Sequence, residues 1–195
     1  MIRIAIIDDH PAVRQGLEGA LRSEPGMVPV GSVPQPEDLP PLLYRTRPDV
    51  VLLDYHLPRR DGLTICCEIK ADVSAPAVVL YTAYADAALV VPAIVAGADG
   101  IVSKSTPSLQ LFEAIRLVAK GRTALPPLVD ERLEIAESAL DASDRPILGM
   151  LLDRTPHREI ADTLQISPDA LRRRTAAMLT NLRVPVGLHT KCSSL

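Results

Sequence analysis

The 195-residue chain has no apolar run approaching the roughly 18 residues that a membrane-spanning helix requires. Nor does it open on a basic segment followed by an apolar stretch and a small-residue cleavage site, because Asp8 and Asp9 interrupt the first apolar run almost at once. The expectation is a cytoplasmic protein with no membrane partner. Cysteine is scarce: Cys66, Cys67 and Cys192 are an odd number, and adjacent cysteines such as the first two rarely bridge each other. No CxxC occurs, and His10, His56, His157 and His189 are scattered without metal-ligand spacing, which argues against a structural zinc site. Lysine is rare beside arginine, 4 against 17, a bias that says nothing about mechanism, and no internal repeat is present.

What is there is enough for a real core. Apolar residues make up 47% and charged residues 23%, as in ordinary soluble domains. The net charge of −3 hides an asymmetry: from Leu140 onward 8 basic and 6 acidic residues give +2, while the preceding part carries 13 basic and 18 acidic residues. A mildly basic tail on an acidic body points, weakly on its own, to nucleic acid as a partner.

Short, nearly continuous apolar runs rich in β-branched residues alternate with segments of helical period. The runs are Ile2–Ile7, Met27–Val30, Val50–Leu53, Val78–Tyr81 and Gly100–Val102, and they read as parallel strands covered on both faces. Helices are expected near Pro11–Ser23, Glu37–Arg47, Leu63–Ala71, Asp86–Ala96 and Ser108–Lys120, the second crowded at its start by Pro36, Pro40 and Pro41. Five such units predict an α/β fold with a doubly wound five-stranded parallel sheet over residues 1–121. Residues 122–139 read as a partly helical linker. Residues 140–195 read as a small all-α domain of short amphipathic helices, the third opened by Ser167 as N-cap and Pro168 at its first position.

Functional residues of such a sheet gather at the carboxyl ends of its strands. Those ends supply Asp8 and Asp9, then Asp54, then Thr82, then Lys104. Each has an ordinary reading alone, as a helix cap, a turn residue, a strand end or a surface charge. Their joint fall at four strand ends does not. Carboxylates this close repel one another unless a hard cation joins them, and Mg²⁺ favours oxygen ligands. A carboxylate nucleophile, a metal, a hydroxyl and an ammonium suit phosphoryl transfer.

The stretches IIDDH, VVLLDYHLPRRDG, VVLYTAY and GADGIVSK, spread over residues 1–121, resemble the flavodoxin-like receiver domains of two-component response regulators. The resemblance implies Asp54 as phospho-acceptor, with a histidine kinase as donor. It implies Mg²⁺ held by Asp8, Asp9, Asp54 and the backbone carbonyl of His56, with Thr82 as switch hydroxyl and Lys104 as partner of the phosphoryl oxygens. Two positions depart from the family: Ile101 stands where an aromatic is usual, and Ser105 where a proline often follows the lysine. An aspartate-nucleophile phosphatase would want a second aspartate where His56 stands, so an acceptor is expected here rather than an enzyme.

On a helical wheel, the last helix puts Leu171, Thr175, Met178 and Leu182 on one arc and Asp169, Arg172, Arg173, Ala176, Thr180 and Arg183 opposite. The stretch REIADTLQISPDALRRRTAAMLTNL resembles the LuxR-type helix-turn-helix of NarL/FixJ regulators. That implies double-stranded DNA as partner, with Arg172, Arg173 and Ala176 toward base edges and Arg174 and Arg183 toward phosphates. It also implies a homodimer on phosphorylation. The alternative is a tail that binds a protein instead. Pro185 and Gly187 fall where a last helix of the family, used in dimerisation, would begin.

Overall fold

In a computed structural model, residues 1–72, 74–83 and 85–182 are described. The elements run β1 (Ile2–Ile7), α1 (Pro11–Ser23), β2 (Met27–Val33), α2 (Leu39–Thr46), β3 (Val50–Leu53), a two-rung hairpin of β4 (His56–Leu57) and β5 (Arg60–Asp61), α3 (Gly62–Lys70), β6 (Ala77–Thr82), α4 (Val90–Val95), β7 (Gly100–Ser103) and α5 (Ser108–Val118). Helices α6 (Asp130–Ala139), α7 (Arg145–Leu152), α8 (His157–Thr163) and α9 (Pro168–Leu182) follow.

The five long strands pair in parallel in the order β2-β1-β3-β6-β7, the doubly wound arrangement that the alternating pattern predicts. Pro29 is tolerated because β2 is an edge strand, and its register against β1 slips between Ile4 and Ala5. Strand side chains alternate strictly: Ile4, Ile6, Val50 and Leu52 face α1 and α5, while Ala5, Ile7, Val51 and Leu53 face α2, α3 and α4. After α5 the chain returns to the sheet, where Ala124 adds a single parallel bridge to Gly100 at the β7 edge.

Two helices differ from expectation. Pro36–Asp38 forms a 3-10 turn ahead of α2, as prolines at 40 and 41 fit only a first helical turn. Asp86 caps another 3-10 turn by accepting from the Ala88 N–H at 3.1 Å, so the α-helix begins only at Val90. The hairpin β4–β5 carries no periodicity that a sequence could show.

α6 occupies most of the expected linker. α7, α8 and α9 do not stand apart: α4 touches α6, α7 and α9, and α3 touches α9. Ile147, Leu148, Ile160, Leu171, Met178 and their neighbours thereby join the core that lies beneath α2–α4.

Candidate phosphoryl-transfer site

At the carboxyl edge of the sheet, β1 is followed by Asp8 and Asp9 and β3 by Asp54, β6 ends in Thr82, and β7 is followed by Lys104. Asp8, Asp54 and Thr82 are buried, at 1%, 3% and 0% exposure. Backbone bonds fix these ends: the Asp54 N–H donates to Ile7 O at 2.9 Å, and the Lys104 N–H to Thr82 O at 2.8 Å. The Lys104 ammonium lies between two carboxylates, 2.6 Å from Asp8 Oδ2 and 2.8 Å from Asp54 Oδ2. Burial pulls its pKa down, but the hydrogen bonds and charges of Asp54 and Asp8 prevail and hold it above the ordinary lysine value. The same ammonium lies 6.0 Å from the centre of the Tyr81 ring.

The crevice is braced by groups whose roles the sequence reading did not assign. His10 donates its backbone N–H to Asp8 Oδ1 at 2.8 Å, and Arg14 Nη1 donates to the Asp8 carbonyl at 2.6 Å. Gly62 passes so close to the loop after β3 that a Cβ there would lie 2.5 Å from the Asp54 carbonyl oxygen. The adjacent Asp61 caps α3 by accepting from the Thr64 N–H at 2.9 Å. The dipeptides Asp9-His10 and Asp61-Gly62 were the available signals for these features.

The donor set fits a hard cation. One ligand atom from each of Asp8, Asp9, His10 and Asp54 lies within 4.8 Å of the others. Asp9 Oδ1 is sealed from solvent with no hydrogen bond of acceptable geometry, although His10 Nδ1 approaches it to 2.6 Å. A buried carboxylate oxygen in that condition needs a positive partner. His56 sits on β4, its backbone N–H donating to Asp54 Oδ1 at 3.3 Å.

The second set of expected residues divides. Arg172, Arg173 and Ala176 are exposed on α9, opposite the buried Leu171, Thr175, Met178 and Leu182. Arg172 pairs with Asp169 one turn back. Arg174 instead turns inward: Nε donates to Asp144 Oδ1 at 2.8 Å, and the guanidinium also reaches the Ser143 carbonyl. Asp144 is itself buried. Arg183 lies outside the described residues.

Residues 4–116 match the response regulator receiver domain. The DNA-binding transcriptional activator DevR/DosR of Mycobacterium tuberculosis is 27% identical over 192 residues, covering 93% of this chain and 88% of that protein. A two-component response regulator of the LuxR family from Aurantimonas sp. is 31% identical, covers 72% of this chain and 99% of its own, and superposes with a TM-score of 0.60. RcsB of Salmonella enterica serovar Typhimurium, solved bound to a promoter, shares the fold with a TM-score of 0.61 at 23% identity, over 94% of this chain and 92% of that one. No helix among the described residues is long and apolar enough to cross a membrane.

Proposed function

The chain belongs to the two-component response regulators of the NarL/LuxR type, and from that premise we propose that phosphorylation of Asp54 by a histidine kinase controls its dimerisation and its binding to double-stranded DNA, and so transcription. The receiver is assigned to residues 1–121, a linker to 122–139 and the DNA-binding unit to 140–195. The observation that carries this reading is the Lys104 ammonium held between Asp8 and Asp54, two buried carboxylates from different strands.

An Asp54 carboxylate oxygen attacks the phosphorus of a phosphohistidine. The phosphorus–nitrogen bond breaks, a phosphorus–oxygen bond to Asp54 forms, and the imidazole leaves with the kinase. Lys104 enters the reaction as an ammonium, its pKa held above the ordinary lysine value by Asp54 and Asp8. It therefore serves as a positive partner for the phosphoryl oxygens and not as a base. Thr82, at the end of β6, offers its hydroxyl to the same group. Asp8, Asp9, Asp54 and the His56 carbonyl would hold Mg²⁺, which when bound neutralises charge developing on the phosphoryl oxygens. In this reading Asp54 accepts a phosphoryl group and supports at most slow autodephosphorylation.

On the DNA side, exposed Arg172, Arg173 and Ala176 form the reading face of α9, with Arg174 and Arg183 serving phosphates. Arg174 can do so only by exchanging its bond to Asp144. DNA is favoured over a protein partner by this exposed basic face and by relatives named as DNA-binding regulators.

The test is intact-mass analysis and sedimentation of wild type and Asp54→Asn with Mg²⁺ and acetyl phosphate. A single phosphoryl adduct and a monomer-to-dimer shift are expected in wild type alone. An equal adduct in Asp54→Asn would sink the assignment. DNA binding is expected to fall steeply with salt, and Arg172→Ala with Arg173→Ala to relax sequence preference.

A further inference from the structure

α4 has no solvent-facing side. All six of its residues, Val90, Val91, Pro92, Ala93, Ile94 and Val95, are buried, and none is polar. One side of the helix covers the sheet; the other is covered by α6, α7 and α9. A helix that is apolar all round belongs inside a core, and here that core is shared by both halves of the chain. The helices from α7 to α9 span only about 40 residues, near the lower limit at which a domain buries enough of itself to fold alone. α3 and α4 supply the apolar surface they lack.

Polar contacts run along the same junction. Arg154, between α7 and α8, donates through Nη1 to the Ala98 carbonyl at 3.2 Å. His157 at the start of α8 lies over Gly97, where its Cε1 would be 3.6 Å from an added Cβ. Cys67 on α3 neighbours Thr175 on α9, whose hydroxyl favours the thiolate, while burial prevails and pushes the thiol up to about 11.

Docking of the halves leaves the opposite arc of α9 uncovered. With the receiver in place, Arg172, Arg173, Ala176, Ala177, Thr180 and Asn181 are all exposed. The receiver grips the back and flank of α9 and not its front.

We infer that the two halves remain docked when this protein engages DNA, with α4 a permanent member of both cores and the front of α9 presented without domain separation. This inference rests on the DNA reading above. Signals from the Asp54 crevice then reach α9 by displacement of α4, to which α9 is packed, and not by release of a masked helix.

The experiment locks the junction with a disulfide between Cys67 and Thr175→Cys, in a Cys192→Ser background of the full chain. The probe is a duplex enriched by the wild-type protein from a random-sequence library. The cross-link is expected to form under mild oxidant without denaturant, and the locked protein to bind the duplex within about threefold of its reduced form. Loss of more than about tenfold that reductant restores overturns the inference, because opening is then required. Failure of the cross-link in a folded variant passes the decision to hydrogen exchange of the wild type, because the raised pKa of the Cys67 thiol alone slows disulfide formation. If the wild type enriches no duplex, the DNA reading itself fails, an outcome distinct from either. Should Thr175→Cys not fold, hydrogen exchange of the wild type decides. Amides of Val90–Val95 must stay protected when the duplex binds, and their exposure would refute continued docking.

Discussion

α4 and α5 flank the last strand of the sheet and are built on opposite terms. α5 buries Leu111, Phe112, Ala114, Ile115 and Val118 and leaves Leu109, Gln110 and Glu113 in solvent, the stripe of an ordinary surface helix. α4 buries every residue. The difference follows from what lies outside each: water over α5, and α6, α7 and α9 over α4. An apolar outer face marks a surface that is never meant to be wet, whereas a transiently covered face would carry charge to survive exposure. The two sides of one sheet are thus specialised, one closed by its helices and the other extended into the C-terminal unit.

The largest effect expected comes from charging each helix in turn. Val91→Asp should cost about 4 kcal/mol or more, by leaving an unpaired carboxylate in the shared core. Leu109→Asp, at a position 62% exposed in the first turn of α5, should stay within about 0.5 kcal/mol. Urea denaturation compares them, and similar costs would erase the distinction between the helices. Next, Asp144→Ala leaves Arg174 half-buried without its carboxylate, and should destabilise by about 2 kcal/mol. Hydrogen exchange should then accelerate in α9 and α4 together while α5 is unchanged. Acceleration confined to α9 would show that α4 does not depend on it. Smaller again is Arg154→Ala, which removes the bond to the Ala98 carbonyl and should cost about 1 kcal/mol by the same measurement.

Much of this was legible in the sequence, for reasons that differ by region. β1, β3 and α1 fall where the apolar pattern put them, because buried parallel strands read as continuous runs and Pro11 marks a helix start. The crevice was legible because topology alone brings strand ends together, so the approach of Lys104 to Asp54 needed no knowledge of side-chain packing. The bracing by Arg14, and the tight passage of Gly62 against the Asp54 carbonyl, depend on three-dimensional approach that spacing does not encode. The inward turn of Arg174 was hidden for a similar reason. On the wheel Arg174 falls on the flank, in neither the apolar arc nor the face opposite it, and only the position of Asp144, thirty residues earlier, draws it inward. The docking of the halves did leave a trace. The stretch from Val90 to Ala98 contains no charged residue, more than one buried helix face requires.

The smallest effect distinguishes the two sides of the sheet by pH. His157 at the α4-side junction is held below the usual 6.5, first by burial and then by the nearby Lys70 ammonium. Lys70 on α3 pairs with Asp99 at 2.7 Å, and Arg154, half-buried nearby, feels the same Asp99 carboxylate. A lowered pKa means that the unfolded chain takes up this proton before the folded chain does. Above the ordinary value both forms are neutral and nothing is lost. As pH falls through it, the unfolded state gains protons first and stability declines, levelling off once the lowered folded value is passed. Stability of the wild type should therefore begin to fall as pH drops through the ordinary histidine value, about 6.5, and His157→Gln should remove that part of the slope. The residual slope should match in both proteins, since their other titrating groups are the same. Exchange at Val90–Val95 should follow the loss, while exchange at the α5 residues Leu111–Val118 should not. An unchanged slope in His157→Gln would mean that the junction tolerates the charged imidazole, and that α4 is covered less tightly than its composition requires.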